Sequence, residues 1–117
     1  MKLKIKYMIG DDHGKTSYKA DVDPSNPILP IITSTLDKLV PLEGHWGIAL
    51  NSETLEYNLK NGNISQVEHD VFMAARNDDN ELAVKHGFES DDLADFCDIF
   101  YDDTEYSFLA YQGYKLK

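Results

Sequence analysis

Over Lys2–Ile9 apolar and charged positions alternate, with Leu3, Ile5, Tyr7 and Ile9 on one side and Lys2, Lys4 and Lys6 on the other. A period of two marks a half-buried strand, and only Met8 departs from it. Turn-forming residues follow (Gly10, Asp11, Asp12, His13, Gly14), and Tyr18, Ala20 and Val22 then alternate with Ser17, Lys19 and Asp21. This pattern predicts an opening hairpin. Asp23, Pro24, Ser25, Asn26 and Pro27 suit a helix start, and Ile28, Ile32, Leu36 and Leu39 recur at helical spacing before Val40 and Pro41 end the run.

The stretch Gly44–Leu50 is short, apolar and bounded by glycine, which predicts a buried middle strand. Residues 52–61 satisfy two templates. Ser52 can cap a helix that Gly62 closes, with Leu55 and Leu59 one turn apart, while Leu55, Tyr57 and Leu59 also alternate as in a strand; the helix is the preferred reading. Ser65-Gln66-Val67-Glu68 spells a capping box, and Val67, Val71, Ala74 and Ala75 form an apolar stripe behind it, predicting a helix to about Arg76. Asn80 can cap a shorter helix ending at Gly87, and Ser90 another whose core row is Leu93, Phe96, Cys97 and Phe100. The aromatic segment Glu105–Leu116 predicts a strand that returns to the sheet. Strands at both ends with helices between them give an α+β expectation for 1–117, a single globular domain. Its antiparallel sheet would comprise the hairpin, the middle strand and the C-terminal strand, with helices packed on one face.

Hydrophobic residues are 42% of the 117, so the chain is expected to fold despite a net charge of −10. The lone Cys97 cannot pair internally, and no apolar run approaches a membrane span; both fit a cytoplasmic protein. The charge is uneven. Residues 1–40 are nearly balanced, whereas residues 67–106 set thirteen acids against Arg76 and Lys85. Asp91, Asp95, Asp98 and Asp102 fall at i, i+4, i+7 and i+11, a single stripe beside the core row, spaced roughly 5.5 Å apart along the axis. Like charges at i, i+4 oppose a helix, so the stripe needs a reason other than helix stability.

The candidate partner-binding residues are therefore Asp78, Asp79, Glu81, Glu89, Asp91, Asp92, Asp95, Asp98, Asp102 and Asp103, with Tyr101 beside them. Tyr106, Tyr111 and Tyr114 extend the same aromatic rim, and amphipathic rings of this kind anchor interfaces. The competing interpretation is a solvated acidic face that serves solubility. Metal and cofactor chemistry find no support. The acid-rich segments starting at Asp78 and Asp21 lack the glycine at position six of a calcium loop, where Ala83 and Asn26 stand, and although Glu89 falls at position twelve of the first, Ile32 replaces the glutamate in the second. The four histidines have no zinc spacing, and there is no glycine-rich phosphate loop. No catalytic residues are assigned, and an acidic balance argues against direct binding to nucleic acid or an anionic membrane.

In size and charge layout, with net −10 and the acids of 67–106, the chain resembles the small acidic inhibitors of phages and mobile elements, the DNA-mimic, anti-restriction and anti-CRISPR type. These inhibitors share no common fold. The resemblance implies a non-enzymatic protein that occupies the groove of a basic nucleic-acid-binding enzyme, its carboxylates standing in for phosphates, and the balanced first third confines that role to one face. Two alternatives stay open: an immunity-type protein that neutralises a basic toxin, and a small enzyme or metabolic regulator with its site around His13, Asp11 and Asp12 or near Trp46.

Overall fold

The computed structural model describes residues 1–9, 15–45, 47–96 and 109–117. The alternation at the start of the chain forms β1 (Lys2–Ile9), which pairs antiparallel with β2 (Lys15–Asp21) on one side and with β3 (Leu109–Leu116) on the other. The sheet order is β2-β1-β3, so the strand with the cleanest two-residue period is the central one. Its apolar side chains Leu3, Ile5 and Tyr7 are buried, together with Ala20 and Val22. Tyr7 and Tyr18 meet edge to face, with ring centroids 5.5 Å apart. Directly opposed residues share a face of a sheet, so the alternation that buries Leu3 and Ile5 sends Lys2, Lys4 and Lys6 to the other face.

At the Lys6/Tyr7 step the register shifts: Lys6 faces Gly113 but Tyr7 faces Tyr111, leaving Gln112 as the extra residue of a β-bulge. Gly113 at this bulge has φ +142°. Beyond it, the amide of Tyr111 donates to the carbonyl of Ile48 at 2.6 Å, an isolated bridge. This bridge is all that the expected middle strand becomes among the described residues, Trp46 lying outside them. Gly47 explains the approach, because a Cβ there would stand 2.5 Å from Cβ of Ala110.

Among the described residues five helices lie between β2 and β3 in the chain: α1 (Leu29–Lys38), α2 (Ser52–Lys60), α3 (Gln66–Asn77), α4 (Asn80–Lys85) and α5 (Ser90–Ala94). The α+β architecture is the one the sequence predicts, and residues 52–60 are helical. Leu29, Ile32, Leu36, Leu55, Val71, Phe72, Ala83 and Leu93 from the helices enter one core cluster with Leu3, Ile5 and Tyr7 of the sheet. The capping box of α3 forms as written, with Ser65 Oγ accepting from the Glu68 amide and Glu68 from the Ser65 amide.

Three cap assignments move by one residue. Asn51 caps α2 in place of Ser52, accepting from the Thr54 amide at 2.9 Å. Asp79 caps α4 in place of Asn80, accepting from the Leu82 amide at 3.1 Å. Glu89 replaces Ser90 at the start of α5. For α2 and α4 the adjacent residues are both good caps, so local chemistry leaves the choice open; at α5 the preferred cap residue, Ser90, is instead the first residue of the helix.

The larger correction concerns α5. It ends at Ala94, with Asp95 as its C-cap, so the helix does not carry the stripe through Asp95. Its acids explain why: Asp91 and Asp92 suit the positive N-terminal end, but the chain offers no basic residue in the last turn, where Asp95 opposes the dipole. Asp95 finds other partners. Asn26 Nδ2 donates to Asp95 Oδ2 and to the carbonyl of Asp92, both at 3.0 Å, while Asn26 Oδ1 accepts from the Ile28 amide ahead of α1.

Candidate functional site

The acids of 67–96 fall into two settings. Glu68 and Asp70 on α3 are buried. Glu68 accepts from Lys38 Nζ at 2.9 and 3.1 Å, from Ser34 Oγ at 2.8 Å and from the Ser65 amide at 2.9 Å, which ties α1 to the first turn of α3. Burial raises its pKa, but the hydrogen bonds from Lys38, Ser65 and Ser34 outweigh burial and bring it to about 2. Asp70 Oδ1 lies 2.7 Å from His69 Nδ1 and accepts from Gln66 Nε2, while Oδ2 lies 2.8 Å from Nε2 of His86, the C-cap of α4. Burial again raises the carboxyl, and the contacts with His69, His86 and Gln66 more than reverse this, leaving its pKa below the ordinary value. His69 Nε2 is buried and has no hydrogen-bond partner.

Sequence reading missed this imidazole–carboxylate–imidazole cluster. His69 and Asp70 are adjacent, but His86 is remote in the chain, and no short spacing announces that α4 folds back onto α3. Asp70 contacts His69 and Gln66 of its own helix and His86 at the end of α4, so the cluster joins two helices.

The second setting is exposed. Asp78 closes α3 in the left-handed region at φ 53°, Asp79 caps α4, Glu81 lies in its first turn, and Glu89, Asp91 and Asp92 stand at the start of α5. Asp92 Oδ2 accepts from the Glu89 amide at 3.0 Å. The seven described candidates therefore divide by duty. Asp79, Asp92 and Asp95 hold local structure through their side chains, and Glu89 shares a capping box with Asp92, whereas Asp78, Glu81 and Asp91 are exposed on consecutive short elements. A six-residue helix such as α4 is about 9 Å long, which sets the scale of the group. The other four candidates, Asp98, Tyr101, Asp102 and Asp103, lie outside the described residues, as do Asp11, Asp12, His13, Trp46, Cys97, Phe100 and Tyr106.

Tyr111 and Tyr114, expected to rim the acidic helix, are engaged elsewhere. Tyr114 donates to Asp37 Oδ1 of α1 at 3.0 Å, and Tyr111 packs on the core beside Ile48. Burial, joined by the neighbouring Tyr114 and Asp37, raises the Tyr111 phenol well above its ordinary value. Arg76 does not simply offset the nearby acids, since its Nε donates to the carbonyl of Leu50 at 2.8 Å.

The cations gather elsewhere. Lys19 and Lys115 both oppose Lys4 across the sheet, and Lys2 exchanges backbone hydrogen bonds with Lys117. Lys2 also pairs with Asp21 at 3.1 Å. Among the described residues no group of histidine, cysteine and carboxylate side chains is arranged to hold a metal, and no helix is long and apolar enough to cross a membrane. Compared with protein-family models, curated proteins and solved structures, the chain matches none.

The lowered pKa values have a sign. A carboxyl whose folded pKa is depressed stabilises the fold above its unfolded value and loses that contribution as pH falls through the folded value. For Glu68 that window runs from its ordinary 4.5 down to about 2, and Asp70 acts in the same direction. Urea midpoints measured from pH 5 to pH 2 should therefore fall steadily. In Glu68→Gln the slope should be visibly shallower; an identical slope would show that the Lys38–Glu68 pair does not govern acid stability.

Proposed function

We propose that this chain is a non-catalytic, cytoplasmic binding protein whose exposed acids on the α3–α4 corner, α4 and the start of α5 dock on the cationic groove of a nucleic-acid-binding protein. Occupying that groove would exclude nucleic acid. Carboxylates pair with Arg and Lys as phosphates do, and charge complementarity speeds and orients association. One observation carries the reading: the lysines that could offset these acids are grouped on the outer face of the sheet. Among the described residues, Lys4, Lys19, Lys115 and Lys117 have no acidic partner within 4 Å. Asp78, Glu81, Glu89 and Asp91 are left exposed, and Lys85 is the one cation within α4 and α5.

The test separates binding acids from structural ones. Asp78→Asn, Glu81→Gln and Asp91→Asn combined remove three exposed charges while sparing Asp79, Asp92 and Asp95, so the fold should lose no more than about 1 kcal/mol. Competition would be measured against a DNA duplex on a panel of purified nucleases and DNA-binding enzymes. Wild type should displace the duplex from at least one of them, more weakly at 200 mM than at 50 mM salt, and the triple variant at least tenfold less well. Equal displacement by the variant, or none by wild type, would remove the basis for this function.

A further inference from the structure

The outer face of the sheet holds a feature that the acidic reading does not use. Lys2, Lys4, Lys19, Lys115 and Lys117 line a single open depression of about 290 Å³. Five of the chain's eleven lysine and arginine residues thus meet in one place, in a protein of net charge −10. Register makes the concentration unavoidable: Lys19, Lys4 and Lys115 form one rung, and Lys2 and Lys117 stand on the next rung beside Asp21. With strands about 4.8 Å apart and same-face neighbours about 6.7 Å apart, the Cα positions cover a footprint of roughly 10 by 7 Å. Like charges directly opposed across a sheet destabilise it, so three lysines on one rung call for a compensating anion.

We propose that this depression binds a compact oligophosphate, an anion with three or more linked phosphate groups. Lysine ammonium groups are point-charge phosphate ligands on flexible stems, and several can converge on one highly charged ion. Among the described residues the lining is lysine, which offers ammonium groups on aliphatic stems and no aromatic ring on which a base could stack. Size favours a small anion too. A polyanion longer than the footprint would extend over a protein surface that is acidic overall, within reach of repulsion at a Debye length of about 8 Å.

The probe is sodium tripolyphosphate, titrated into the full chain and followed by backbone amide NMR shifts, with orthophosphate and a single-stranded oligonucleotide as parallel arms. Saturable shifts should centre on Lys2–Lys6, Ser17–Asp21 and Gly113–Lys117. Tripolyphosphate should bind at least tenfold tighter than orthophosphate and weaken between 50 and 200 mM salt. Lys4→Gln/Lys115→Gln should cost at least tenfold in affinity while melting at the same or a higher temperature, and Lys19→Gln alone about threefold. No saturable shifts, shifts confined to other elements, unchanged affinity in both variants, or tighter binding of the oligonucleotide would each overturn the proposal.

Discussion

Asn58→Asp should unfold with about 3–5 kcal/mol less free energy than wild type at neutral pH, the size of effect seen when a charge is left buried without compensation. Asn58 is completely buried on α2, and its side chain is saturated. Its Oδ1 accepts from the Val40 amide at 2.9 Å and from Asn63 Nδ2 at 3.0 Å, while Nδ2 donates to the carbonyls of Val40 at 3.0 Å and Thr54 at 2.8 Å. The amide thus clamps the chain leaving α1 onto α2. Aspartate has nearly the same shape but turns an acceptor against both carbonyls. Because the buried carboxyl would have a raised pKa, the variant should regain stability as pH falls, opposite to the acid limb set by Glu68 and Asp70. Urea unfolding at pH 7 and at pH 4 measures both signs. A loss under about 1 kcal/mol at pH 7 would mean that Asn58 is not the clamp its geometry suggests.

Glu68→Ala should cost about 3 kcal/mol in the same assay, since hydrogen bonds to a charged group contribute roughly 1.5–3 kcal/mol and half of a capping box is lost with them. Only part of that is the ion pair. Lys38 is half exposed, its side chain retaining 48% accessibility, so its ammonium can return to water when Glu68 is removed. Lys38→Met should therefore cost clearly less than Glu68→Ala, and the double variant less than the sum of the two. Equal costs for the two single variants would place the energy in the ion pair and not in the Ser34 and Ser65 contacts.

What could be read from the sequence was what local spacing dictates. The period of two in β1, the four-residue box at Ser65–Glu68 and the closing Gly62 each draw their partners from within a few residues, and each takes the expected form. Glu68 could be recognised as a capping residue, but its ties to Ser34 and Lys38 span 34 and 30 positions and have no local signature. The same holds for Asp70 with His86 and for Asn58 with Val40. The length of α5 was misread because helical spacing continues past Ala94, whereas Asp95 is held by Asn26 across the fold. The lysine face was half visible: Lys2, Lys4 and Lys6 were legible as a solvent-facing row, but only strand register brings Lys19 and Lys115 to either side of Lys4. For the candidate site, sequence supplied the supply of acids and structure supplied the distinction between those that hold helix ends and those left exposed.

The bridge from Ile48 to Tyr111 carries a final consequence. Tyr111 is paired with Tyr7 on one side, so Ile48 occupies the opposite, outward edge of β3. An outer strand with its amides unclaimed is a template on which another chain can add a strand and seed fibrils. Here the template is interrupted midway, by a peptide that can come so near only because position 47 has no side-chain carbon, and next to a bulge that spoils the flat geometry required for stacking. Strand addition along this border is thereby interrupted at its middle by backbone geometry, with Lys115 further along the same strand.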